Sequence, residues 1–140
     1  DFRDAIRRVE PLRGAQKFLD ELRSHYPVVI LSDTFYEFAM PLMKKFGFPA
    51  LFCNTLEVDG HGFIAGYRLR QADGKKKAVE GLKNLGFEVR AAGDSYNDLT
   101  MLGAASKGVL FNPPPTIAER HSRFPVAKTY VALLRELTRP

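Results

Sequence analysis

The sequence predicts an α/β fold in which helices cover both faces of a parallel sheet, and three observations carry that prediction. Val28-Val29-Ile30-Leu31 is a continuous β-branched and aliphatic run, the pattern of a strand buried on both faces. Glu88 to Ala92, after Phe87, reads as a second short strand that runs through Gly93 toward a helical pattern opening at Leu99. Around these strands, apolar residues recur at helical spacing. Ligands of open α/β sheets collect at the carboxyl ends of the strands. Both runs end there in polar groups, Ser32-Asp33-Thr34 after the first and Asp94-Ser95-Tyr96-Asn97-Asp98 after the second.

In chain order, Phe2 to Arg8 reads as the end of a helix, closed by Pro11. Leu12, Ala15, Phe18, Leu19 and Leu22 follow helical spacing, with Arg13, Lys17, Asp20 and Glu21 on the other faces. After the strand that ends at Ser32, Phe35, Phe38, Leu42, Met43 and Phe46 predict a helix interrupted or kinked at Pro41 and stopped by Gly47. Ala50 to Asn54 is a further short strand. Leu56-Glu57-Val58 and Phe63 to Tyr67 flank Asp59-Gly60-His61-Gly62, which predicts a β-hairpin excursion. A helix from Lys75 to Leu85 ends at Gly86 and precedes the strand that leads to Asp94. Gly108 to Phe111 is another buried strand, Asn112-Pro113-Pro114-Pro115 a turn, Ile117 to Arg120 a short helix, and Tyr130 to Leu137 a final amphipathic one.

At 140 residues and 45% hydrophobic, the chain suffices for one packed core, so one domain over 1–140 is expected. No apolar run approaches membrane-spanning length and the first residues lack signal-peptide order, so a cytoplasmic protein without a membrane partner is expected. The single cysteine, Cys53, excludes an internal disulfide and sits in an apolar setting that suggests a buried residue rather than a nucleophile. The net charge of +5 favours anionic partners, but basic and aromatic residues do not interleave as on a nucleic-acid-binding surface. No nucleic-acid partner is expected. His25, His61 and His121 read as surface residues.

Gly93 lets the backbone turn and approach a ligand, and Asp94 offers the hard carboxylate oxygens that Mg²⁺ prefers. Asn97 and Asp98 stand at the start of the next helix, where capping that helix is an equal alternative to a role in the site. Ser32, Lys75, Asp94, Asn97 and Asp98 together offer a hydroxyl donor, a cation and carboxylates at one sheet edge. That set suits phosphate, whose transfer needs its charge neutralised and its oxygens held.

Val28 to Ser32, a downstream lysine and Gly93 to Asp98 resemble motifs two, three and four of the haloacid dehalogenase superfamily, in order and spacing. Ile30-Leu31-Ser32-Asp33-Thr34-Phe35-Tyr36-Glu37-Phe38, Gly66-Tyr67-Arg68-Leu69-Arg70-Gln71 and Ala91-Ala92-Gly93-Asp94-Ser95-Tyr96-Asn97-Asp98 resemble its phosphoserine phosphatase branch, in particular the bifunctional phosphoserine phosphatase/homoserine phosphotransferases. The resemblance implies a three-layer Rossmann-like core, Mg²⁺ as cofactor, and an aspartyl-phosphate mechanism in which a carboxylate attacks phosphoserine and water or homoserine takes the phosphate. By matching positions, Ser32 would hold the phosphate, with Asp33 and Thr34 beside it at the substrate. Lys75 would neutralise the phosphate, Asp94 would bind the metal, Asn97 would contact substrate or phosphate, and Asp98 would orient Lys75 or the metal shell. Lys75 is preferred over Lys76 and Lys77 because its offset to Val79 matches the family's lysine-to-apolar spacing; the alternative is three solvated lysines. Phe35 and Arg70 fit the amino-acid pocket as well as they fit core and solvated face.

The family's first motif, an apolar strand ending in Asp-x-Asp or a close variant, has no match in the chain. Asp1 and Asp4 lie in a helical segment, and Asp33 belongs to the second motif. The expectation is therefore a carboxyl-terminal portion that lacks the central first strand and most of the cap. By itself it would be inactive, with the nucleophile supplied upstream. Without that strand, buried backbone groups would lack partners. A non-catalytic phosphate- or phosphoamino-acid-binding module is the alternative, and a response-regulator-like domain ranks last because the order of Ser, Lys and Gly-Asp-x-x-Asn-Asp fits it poorly. A homodimer is compatible with either of the first two.

Overall fold

A computed structural model describes residues 2–140, with side chains from Asp4 onward; Asp1, expected in the opening helix, lies outside the described residues. The chain divides into two compact units, one ending at Gly74 and the other beginning at Lys75.

The first unit opens with α1 (Phe2–Arg7) and α2 (Ala15–His25), whose Ala15 and Leu22 are buried. Leu12, counted into α2 by spacing, precedes it and is exposed. Strand β1 (Val29–Phe35) is longer than the apolar run, because Ser32 to Phe35 continue it. It is half-buried rather than enclosed, since it lies at the edge of a sheet ordered β1-β2-β3. Helix α3 (Tyr36–Lys45) runs through Pro41; the missing N–H removes one helical bond without ending the helix. Gly47, at φ 79°, stands just past its end, as a C-terminal stop requires.

Two segments expected as separate strands form one, β2 (Ala50–Val58). Its first half pairs in parallel with β1, and its second half pairs antiparallel with β3 (Ile64–Arg68) across the expected hairpin. Asp59 closes that turn by accepting the N–H groups of His61 and Phe63 on Oδ1, both at 2.9 Å.

The second unit begins with α4 (Gly74–Asn84), which packs Val79 inward. Then follow β4 (Arg90–Gly93), a single 3₁₀ turn over Tyr96–Asp98, α5 (Leu99–Ala104), β5 (Lys107–Phe111), α6 (Pro115–Arg120), β6 (Val126–Ala127) and α7 (Tyr130–Thr138). Strands β4, β5 and β6 form a parallel sheet in that order. The two-residue β6 is too short to leave an alternation in the sequence, and it was not expected. Leu102, Val109, Leu110 and Ala127 form the centre of this unit's core. A side chain on Gly108 would place its Cβ 2.6 Å from the Leu102 carbonyl oxygen, so α5 rests on β5 at a distance only glycine permits. Among the described residues no helix is long and apolar enough to cross a membrane.

Candidate active site

In the second unit the site is built on the turn between β4 and α5. Ser95 is the N-cap of the 3₁₀ turn and Asp98 its third residue, and the two form a reciprocal capping box. Asp98, rather than capping α5 in the expected manner, folds back over the turn: its Oδ2 accepts the N–H of Asp94 at 2.9 Å and of Ser95 at 3.1 Å, and the Ser95 hydroxyl at 3.3 Å. Its Oδ1 accepts the Lys75 ammonium at 2.7 Å. Gly93 makes this possible, because a Cβ there would stand 2.5 Å from that of Asp98.

Burial pushes the Asp98 carboxyl upward, but the bond from Lys75, the N–H groups of Asp94 and Ser95, and the lysine's charge outweigh it and hold the group below its ordinary range. Asp98 is thus a buried, ionised anchor that fixes Lys75 at the N-terminal end of α4. The other two lysines face elsewhere: Lys76 pairs loosely with Glu80 at 3.6 Å and Lys77 is exposed.

Asp94 and Asn97 are exposed, Asp94 just past the carboxyl end of β4. Among the described residues no group of three or more His, Cys, Asp or Glu side chains gathers in a way that could hold a metal. One exposed carboxylate still fits Mg²⁺, which keeps several waters and is bound by one or two carboxylates together with substrate phosphate. Tyr96, between them, is exposed and makes a T-shaped ring contact with His121, which is half-buried just after α6.

Ser32, Asp33 and Thr34 belong to the first unit, late in β1. Val29 to Leu31 and then Phe35 stay in register with β2, so Ser32, Asp33 and Thr34 bulge opposite Cys53 alone. The Ser32 hydroxyl oxygen accepts the Thr34 N–H at 3.2 Å, a local turn of the serine type. Asp33 is exposed and Thr34 half-buried.

Beneath this bulge lies Asn54, whose place at the end of the expected Ala50-to-Asn54 strand suggests no role. It is 8% exposed, and its amide donates to the Asp33 carbonyl at 3.0 Å and accepts the Arg70 N–H at 2.9 Å. The signal available was a lone amide in an otherwise apolar strand. Cys53 is buried as expected; burial first, and the Glu37 charge second, push its thiol up despite Arg70, which suits an inert residue. Phe35 packs edge-on against Phe38 and Tyr67, and the Arg70 guanidinium lies over the Phe52 ring at 5.4 Å.

A family model for haloacid dehalogenase-like hydrolases matches residues 1–103. The chain is 48% identical over 136 residues to the phosphoserine phosphatase ThrH of Pseudomonas aeruginosa, covering 97% of this chain and 66% of that protein. It is 46% identical, again over 136 residues, to a phosphoserine phosphatase of Pseudomonas syringae pv. tomato, covering 97% and 57%. A solved phospho-aspartyl intermediate analogue of phosphoserine phosphatase superposes with a TM-score of 0.72 at 25% identity, covering 88% of this chain and 61% of that one. The chain thus spans less than two thirds of the length of each of these relatives.

Proposed function

The chain belongs to the haloacid dehalogenase-like hydrolase family, in the branch of the phosphoserine phosphatases, and on that premise we propose that it forms the larger part of a Mg²⁺-dependent phosphomonoesterase acting on phosphoserine. The observation that carries the proposal is the pairing of a half-buried Lys75 with the buried Asp98, whose other oxygen is saturated by the turn that presents Asp94. A lysine held this way is a fixed cation rather than a mobile one, as charge neutralisation on a transferring phosphoryl group requires.

Each residue then has a task. The Ser32 oxygen is occupied by the Thr34 N–H, so its own proton is available to a phosphate oxygen, with Asp33 and Thr34 at the substrate beside it. Lys75 offsets phosphoryl charge, Asn97 donates to substrate or phosphate, and Asp98 holds Lys75. Mg²⁺ would be held by Asp94, where it would neutralise further charge on the phosphoryl oxygens.

The attacking carboxylate is proposed to lie outside this chain. It forms an O–P bond as the serine O–P bond breaks and the leaving oxygen takes a proton from a general acid proposed to lie outside this chain as well, and water then breaks the acyl phosphate to release inorganic phosphate. Homoserine in place of that water would yield its phosphate ester.

The test is phosphate release from phosphoserine by the whole protein with Mg²⁺, repeated with homoserine as acceptor. Asp94→Asn, or removal of the metal by chelation, should lower turnover at least about 100-fold, a loss of ~2.7 kcal/mol in transition-state stabilisation. The absence of an Asp-x-Asp strand motif from residues 1–140 favours a second reading, a binding module, which would bind phosphoserine and release no phosphate.

A further inference from the structure

We propose that Asn54 is a positioning residue for the phosphate-binding turn at Ser32. The inference rests on the phosphatase reading and adds to it a residue that makes no contact with substrate.

Strand β2 changes partners along its length. Up to Asn54 it pairs in parallel with β1, and from Thr55 it pairs antiparallel with β3. A strand that changes partners leaves backbone groups on both neighbours outside the ladder. On the β1 side, three residues bulge opposite one, and the Asp33 carbonyl lies in that bulge. On the β3 side, the ladder begins at the Thr55–Arg68 pair, and the Arg70 N–H lies beyond it. The Asn54 side chain takes both, donating to Asp33 and accepting from Arg70.

Asparagine carries an NH₂ donor and a carbonyl acceptor on one short planar group, so a single side chain reaches both. The amide orientation is fixed by its partners, because the reversed one would set an oxygen against a carbonyl and an NH₂ against an N–H. The group is more than nine-tenths buried, so water does not substitute for either bond. The held carbonyl sits between Ser32 and Thr34, whose N–H closes the turn on the Ser32 hydroxyl. Asn54 therefore sets the position of that hydroxyl through the backbone of Asp33.

Asn54→Asp, made in the whole protein, separates this role from packing. The aspartate keeps the size of the side chain and an acceptor for Arg70 but places an oxygen against the Asp33 carbonyl. We expect kcat/KM for phosphoserine to fall about 10- to 100-fold, with kcat falling more than KM rises, and the inhibition constant for inorganic phosphate to rise about tenfold. Amide hydrogen exchange should quicken at Thr34 and stay slow at Arg70. An active wild-type protein whose Asn54→Asp variant turns over and binds phosphate unchanged would overturn the inference and leave the phosphatase reading intact.

A wild-type protein that neither hydrolyses phosphoserine nor binds phosphate would instead overturn the reading, and the inference with it. Should Asn54→Asp fail to fold, the wild type decides: saturating inorganic phosphate should slow exchange of the Asn54 side-chain amide. Unchanged exchange there would refute the coupling.

Discussion

Asp98 concentrates the chemistry of the turn in one carboxylate. Four donors converge on its two oxygens, and Lys75 supplies the charged one, so the group is stabilised in its ionised form despite burial. Its folded-state pKa lies below the ordinary 3.8, the direction in which the folded protein binds the proton less tightly than the unfolded chain does. The stability that follows is fully present above that ordinary value and is lost as pH falls through the lower, folded-state value. Thermal melting followed from pH 7 to pH 2 should therefore show an acid-dependent loss that Asp98→Asn flattens. At pH 7 the same variant should be less stable by about 1.5–3 kcal/mol, the usual worth of a hydrogen bond to a charged group. Residue identity alone did not reveal this arrangement: Asp98 was legible as a cap or a site residue, and the structure makes it the third residue of the turn, reaching backward to the cap at Ser95.

The elements that carry the turn are spaced by glycine. Helix α5 lies so close to β5 that the Leu102 carbonyl occupies the place of a Gly108 side chain, and Val109 and Leu110 beside it are wholly buried. Gly108→Ala should cost about 1–3 kcal/mol, the range for overpacking a filled core, measured by urea denaturation with an unchanged m-value. A variant as stable as the wild type would show that α5 can move outward. Strand β2 is the converse case. An apolar run broken by Asn54 and Thr55 reads as two short strands, yet the backbone continues straight through, because one strand can serve two neighbours while the Asn54 side chain closes the gap between ladders.

At the scale of the molecule, β1 and β4 each stand at the edge of a three-stranded sheet, and the proposed function requires a further strand carrying the attacking carboxylate. If that strand pairs with either edge, the protein extended to the length of its relatives should melt several degrees above residues 1–140 and exchange the amides of β1 or β4 more slowly. Equal melting and exchange would count against such a strand. The sequence by itself determined the alternation of helices and strands, the Gly93-to-Asp98 turn and the kinship with the phosphatase branch, because hydrophobic period, glycine and the order of motifs are local properties of the chain. Only the tertiary structure decided that Asp98 reaches back to the N–H groups of Asp94 and Ser95, that β2 is a single strand, that Val126-Ala127 is a strand at all, and that Asn54 holds the bulge at Asp33. Those outcomes depend on which distant backbone groups are left without a ladder partner, and pairing between residues far apart in sequence leaves no periodic trace in either segment.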